Sequence, residues 1–109
     1  MAEYLADVYR KFRTDYPKVD AAYEELAGVL HASGPLTPRE RRLVKLGVAI
    51  GANSEGAVRS HVRKALSEGL SADDLHHAIL LSLTTAGFPH MIAALQWAAE
   101  VIEAPKAKS

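Results

Sequence analysis

The sequence predicts an all-α fold of about six helices, and three observations support this. Apolar residues recur at intervals of three and four along most of the chain, as they do on one face of a helix. Two segments, from Thr37 to Glu40 and from Ser71 to Asp74, have the residues and spacing of a capping box at a helix start. We find no alternating apolar and polar run bounded by turn residues, the pattern typical of a strand.

Turn and capping residues divide the chain into the six expected helices. The third helix is apolar almost all round, which predicts burial on several sides. For the second helix, Asp15 is the expected N-cap. The expected helices run from about Ala2 to Thr14, Asp15 to Leu30, Thr37 to Gly51, Ser54 to Gly69, Ser71 to Leu83 and Phe88 to Glu103.

Length and composition limit the classes of protein to consider. A chain of 109 residues predicts one domain, residues 1–109, with a frayed polar tail over residues 104–109. The 13 basic residues balance the 13 acidic ones, so we expect no binding to nucleic acid or to an anionic membrane. The chain has no apolar run of about 20 residues, the length of a membrane span. It also does not begin with a basic segment followed by an apolar one, the pattern of a secretory signal. We therefore expect a cytoplasmic protein, and its small apolar-rich domain favours self-association.

The chain contains no cysteine, which excludes disulfides, thiolate metal sites and thiol redox chemistry. The adjacent residues His76 and His77 do not suggest a metal site, because neighbouring side chains on a helix point about 100° apart. No glycine-rich phosphate loop follows a strand pattern. We therefore expect neither a metal nor a cofactor.

His61 is the first candidate functional residue, because it is the ionisable side chain within the apolar stripe of the fourth helix. Such a histidine can act as a general acid or base, or it can be a core residue bonded to a backbone carbonyl. Arg63 lies nearby and can hold a carboxylate, unless it is part of a solvated helix face. Lys45 interrupts the apolar third helix and either extends outward or pairs with an acid such as Glu55.

Residues 36–102 resemble the carboxymuconolactone decarboxylase family, which includes the alkylhydroperoxidase-D-like proteins. The resemblance is in the stretches LTPRERRLVKLGVAIGANSEGAVRSHVRKAL and EGLSADDLHHAILLSLTTAGFPHMIAALQWAAEVI, whose elements follow the family's order and spacing. It implies the alkylhydroperoxidase-D-like helical fold. It also implies a homotrimer or homohexamer, which we expect to assemble through the third, fourth and sixth helices.

Peroxidase-type members of this family carry a Cys-x-x-Cys pair at the start of the helix whose later histidine corresponds to His61. They also carry an acidic residue one helix earlier. In this chain the two cysteine positions hold Ser54 and Ala57, and the acidic position holds Arg42. Because serine cannot form the sulfenate or disulfide intermediates, thiol peroxidase activity is not expected.

The decarboxylase branch of the family works without the cysteine pair, on a lactone that carries carboxylates. This resemblance implies a lyase-like enzyme, or a binding pocket, for a small carboxylate or lactone. His61 would be its general acid or base, and Arg63, Arg42, Lys45 and Glu55 would contact the substrate. The alternative is a catalytically silent oligomeric scaffold or partner-binding module.

Overall fold

The computed structural model describes residues 2–104, with side chains from residue 7 onward. These residues form six α-helices and one short 3-10 helix and contain no strand, which confirms the all-α prediction. None of the described helices is long and apolar enough to cross a membrane. Except for Ala104, the predicted frayed tail lies outside the described residues. The helices are α1 (Ala2–Asp15), α2 (Pro17–His31), α3 (Pro38–Gly51), α4 (Glu55–Ser67), α5 (Ala72–Leu81), the 3-10 helix (Ser82–Thr84) and α6 (Phe88–Ile102).

The chain divides into two compact units, Met1–Leu36 and Thr37–Ser109, while the expectation of one domain stays a prediction. In the first unit α1 packs against α2. Arg13 donates from Nε to Oδ2 of the buried Asp20 at 3.1 Å, and its guanidinium lies 5.5 Å from the ring centre of Tyr9. Many large apolar side chains of this unit are exposed, including Phe12 and Leu30.

The second unit contains an apolar core to which α3, α4, α5 and α6 all contribute. Helix α3 packs against α4, α5 and α6, and α4 packs against α6. These contacts bury α3 on several sides, as predicted, but one face stays open in the single chain, where Val44 and Val48, one turn apart, are 53% and 67% exposed. The largest fully buried side chains of the core are Leu46, Ile50, Val58, Val62, Leu75 and Ile79.

The caps fix where α3, α4 and α5 begin. Thr37 and Glu40 form the predicted capping box, and Ser71 and Asp74 form the second one. In each box the hydroxyl accepts from a backbone N–H and the carboxylate accepts from the N-cap N–H. Ser54 is the N-cap of α4, but its side chain makes no capping hydrogen bond.

Two boundaries differ from the sequence prediction. Helix α1 continues through Asp15, and Tyr16 rather than Asp15 is the N-cap of α2. Pro17 is the first residue of α2, and proline disfavours helical backbone in the residue before it, so the break falls at Tyr16. The fifth helix ends at Leu81 rather than Leu83, and the 3-10 helix that follows it was not predicted. Gly87 is the N-cap of α6, and its φ of +102° is a conformation that favours glycine.

Candidate functional site

The packing of α3 against α4 brings Arg42 and His61 into direct contact. The distance from Nη1 of Arg42 to Nδ1 of His61 is 2.7 Å. A guanidinium group can only donate hydrogen bonds, so Nδ1 must be the acceptor. The single ring proton of the neutral imidazole is therefore on Nε2.

Glu68 holds the other side of the Arg42 guanidinium group. Nε of Arg42 donates to Oε1 at 2.9 Å, and Nη2 donates to Oε2 at 2.7 Å, which is the two-point geometry that suits an arginine and a carboxylate. The Arg42 side chain is only 11% exposed, whereas that of Glu68 is 39% exposed. All three guanidinium nitrogens of Arg42 are thus engaged within the chain.

Sequence reasoning missed Glu68. It lies 26 residues from Arg42, as the cap residue after α4, and no helical periodicity connects the two positions. The available signal was the cation at a position where the related peroxidases carry an acid. A largely buried arginine needs an anionic partner, and that partner has to come from elsewhere in the fold.

The surroundings of His61 keep its imidazole uncharged at neutral pH. Burial is the largest cause, and the positive charges of Arg42, Lys64 and Lys45 add to it, while the charge of Glu68 acts in the opposite direction. Together they lower the pKa of His61 from 6.5 to about 4. At pH 7 this side chain therefore offers Nε2–H as a hydrogen-bond donor.

Lys45 adds to a local concentration of cations. It lies on α3 three residues after Arg42, slightly less than one helical turn, and it is half-buried. Burial lowers the pKa of its ammonium group, and the charges of Arg42, Lys64 and Arg41 lower it further. Positive groups on two facing helices thus surround His61, although the whole chain has a formal net charge of zero.

Glu55 and Arg63 lie elsewhere on α4. Glu55 accepts a hydrogen bond from Arg59, a 5% exposed side chain that also donates from Nε to Oε1 of Glu100 on α6 at 3.1 Å. Arg63 follows Arg59 by four residues and so shares its side of the helix, whereas it is about 200° around the helix axis from His61. Nη1 of Arg63 is buried and has no hydrogen-bond partner among the described residues.

The structure thus brings together three of the residues that the sequence singled out, namely His61, Arg42 and Lys45. The two positions that hold cysteine in the related peroxidases, Ser54 and Ala57, lie at the start of α4. Within residues 7–104, no three histidine, aspartate or glutamate side chains are grouped so that they could hold a metal ion.

Comparison with known proteins gave a family and a fold. The sequence model of the carboxymuconolactone decarboxylase family matches residues 17–100. A sequence search of curated proteins gave no match. Among solved structures, the apo form of a carboxymuconolactone decarboxylase family protein from Legionella pneumophila is similar, with a TM-score of 0.78, and the alignment covers 93% of this chain and 89% of that one. The two sequences are 19% identical, so this likeness concerns the fold alone.

Proposed function

Because the chain belongs to the carboxymuconolactone decarboxylase family, we propose that it binds a small carboxylate or lactone at His61 and acts on it as a lyase-like enzyme. The observation behind this proposal is the 2.7 Å contact between Arg42 and His61, which leaves a neutral imidazole with its proton on Nε2. Such a group stabilises negative charge on a ligand oxygen by donating a hydrogen bond.

The chemistry of decarboxylation has a use for such a donor. When a carboxylate group leaves as carbon dioxide, the electron pair of the broken carbon–carbon bond moves onto a neighbouring carbonyl and forms an enolate. A donor already fixed at that oxygen stabilises the developing charge without reorganising. Water can then return a proton to the carbon. In this role His61 acts through Nε2–H, since Nδ1 is already occupied by Arg42.

The cations around His61 favour an anionic ligand. The charges of Arg42, Lys64 and Lys45 all act on His61 as positive groups, and the charge of Glu68 opposes them. Like charges gathered in a partly desolvated place oppose one another, and a bound carboxylate relieves this repulsion. Because the net charge of the chain is zero, the attraction would be local to this site.

Thermal unfolding with a panel of lactones, keto acids and aromatic carboxylates tests the proposal. We expect one ligand class to raise the Tm of the wild-type protein and to leave H61Q unchanged. H76Q is a matched control, because His76 is an exposed histidine on α5; it should respond as the wild type does. Carbon dioxide release would then be measured for the stabilising class. An equal Tm shift in wild type and H61Q would refute a site at His61.

A catalytically silent oligomeric scaffold is the second candidate. It is favoured by the full engagement of the Arg42 guanidinium nitrogens, which tie α3 to α4 and to Glu68 whether or not a ligand binds. It is also favoured by Ser54 and Ala57 at the positions of the thiols. This candidate predicts that no ligand class shifts the Tm of the wild type.

Self-association into a homotrimer or homohexamer forms part of the proposal under either function. It is supported by the exposed apolar side chains of the second unit, which a single chain leaves in water. Val44 and Val48 lie on the same face of α3, and Phe88 and Ile92 lie on one face of α6. Burial of such surface between subunits would add to the stability of a small domain.

A further inference from the structure

The two hydrogen bonds between Glu68 and Arg42 do more than join two side chains. They use both carboxylate oxygens and two guanidinium nitrogens, and so define the plane and direction of the guanidinium group. The nitrogen left over, Nη1, is the one that meets Nδ1 of His61. The position of this third contact therefore depends on the first two.

The partner of Nδ1 decides where the imidazole proton resides. In water both nitrogens of a neutral histidine can carry it, and within a protein the hydrogen bond made by one nitrogen fixes the state of the other. Arg42 can only donate, so its contact selects the form with the proton on Nε2. Loss of Glu68 would leave an arginine that is 11% exposed without its anionic partner, and such a cation moves toward water.

We propose that Glu68 is a positioning residue that acts through Arg42 to hold the proton of His61 on Nε2, so that the site selects ligands presenting a hydrogen-bond-accepting oxygen. This inference rests on the proposed ligand site at His61 and adds the chemistry that the site recognises. Carboxylate, lactone carbonyl and enolate oxygens all accept such a bond. A protonated amine cannot accept one.

A purely structural role for Glu68 makes the opposite spectroscopic prediction. The charge of Glu68 raises the pKa of His61, so its removal without movement of Arg42 would lower that pKa further. If Glu68 positions Arg42, its removal instead releases the arginine, whose charge and hydrogen bond both oppose protonation of His61. The pKa would then rise.

Nitrogen-15 NMR of the histidine side chains in ligand-free protein separates these cases. For the wild type we expect His61 to have the signature of a proton on Nε2 and none on Nδ1. For E68A we expect a mixture of both tautomers and a titration midpoint at least one pH unit higher. R39A is the control, because it removes the bidentate pair of Arg39 and Asp74, which also starts on α3 but does not reach His61.

A wild-type tautomer in E68A, with an unchanged or lower midpoint, would overturn the inference. If E68A fails to fold, R42Q removes the pair of Glu68 and Arg42 at the arginine. It must show the same mixture of His61 tautomers. The ligand panel is scored separately: the Kd of any class that binds should rise on the order of tenfold in E68A. A panel without binders, together with the expected spectra, would reject the proposed function and leave the role of Glu68 standing.

Discussion

Arg42 donates a hydrogen bond to Nδ1 of His61 across 2.7 Å, at a position where the peroxidase members that this chain resembles carry an acid. An acid at that position would accept a hydrogen bond from Nδ1–H and favour the protonated imidazole. Arginine instead donates a hydrogen bond to Nδ1 and favours the neutral imidazole. This chain thus has the histidine of those members but a cation in place of the acid beside it. Arg42 therefore favours the neutral form of His61 in this protein.

Acid should destabilise the protein in a window set by His61. The unfolded side chain titrates near 6.5 and the folded one near 4, so between these values the unfolded state binds more protons. Stability from the neutral imidazole is therefore complete above about pH 6.5 and declines as the pH falls toward 4. Allowing for its partial exposure, we expect a loss on the order of 1–2 kcal/mol in the free energy of unfolding.

Urea unfolding at pH 7 and pH 4.5 measures this loss, with H61Q as the reference. The wild type should lose more stability than H61Q between the two values. The carboxyl of Asp74 has little effect on the comparison, because pH 4.5 lies above its unfolded pKa of 3.8, its hydrogen bonds to Arg39 and Ser71 lower its pKa further in the folded state, and H61Q contains the same group. Equal losses in both proteins would show that His61 is not held neutral by the fold.

Introducing cysteines at positions 54 and 57 should not by itself confer peroxide reduction. In S54C/A57C the thiols would occupy the N-cap and first turn of α4, where the helix dipole favours thiolate. They would still face a histidine that cannot take their proton while Arg42 holds Nδ1. We expect peroxide reduction roughly 10²-fold slower than in the same protein with R42E and E68R added.

The charge exchange R42E/E68R keeps a bidentate pair between the two positions while it places an acid beside His61. Peroxide consumption with a dithiol reductant is the assay, and R42E/E68R without the cysteines is its control. Full activity in S54C/A57C alone would show that Arg42 does not suppress the histidine.

The sequence predicted the local features and missed the long-range ones. Capping boxes at Thr37 and Ser71 were predictable, because all their hydrogen bonds lie within four residues. The fold buries Arg59 between Glu55 and Glu100, and Glu100 is 41 residues away in the sequence. Glu68 could not be predicted for the same reason, because it lies 26 residues from Arg42. Pairs set by helix packing leave no periodic signal, and the site at His61 consists of such pairs.

The three serine and threonine N-caps should differ in their contribution to stability. T37A and S71A each remove a hydroxyl that accepts a backbone N–H bond, so each should lower the free energy of unfolding by about 1 kcal/mol. S54A should cost little, because the Ser54 side chain makes no capping bond. Urea unfolding of the three variants checks this order, and an equal loss in S54A would contradict it.

Arg59 should be far more sensitive to substitution than the exposed arginines. It is 5% exposed and bonded to Glu55 and Glu100, so R59A removes a buried charge that joins α4 to α6. Since both carboxylates are partly solvated and can return to water, we expect a loss of about 2–3 kcal/mol. R10A is the control, because Arg10 and its partner Asp7 are both largely exposed, and it should change stability by less than about 0.5 kcal/mol. Comparable losses in R59A and R10A would show that the buried network is not formed.

Charges on the exposed face of α3 should break the proposed assembly. In V44E/V48E two carboxylates replace apolar side chains that are 53% and 67% exposed in the single chain, so the folded subunit should tolerate them. Burying them between subunits would leave unpaired charges, which strongly disfavours association. Light scattering should give three or six times the chain mass of 11.8 kDa for the wild type and that mass itself for the variant. The control is H76E on the exposed face of α5, which should keep the wild-type mass.

A wild type that stays at 11.8 kDa at all concentrations would reject the assembly. A V44E/V48E protein of wild-type mass would instead place its interface away from this face of α3.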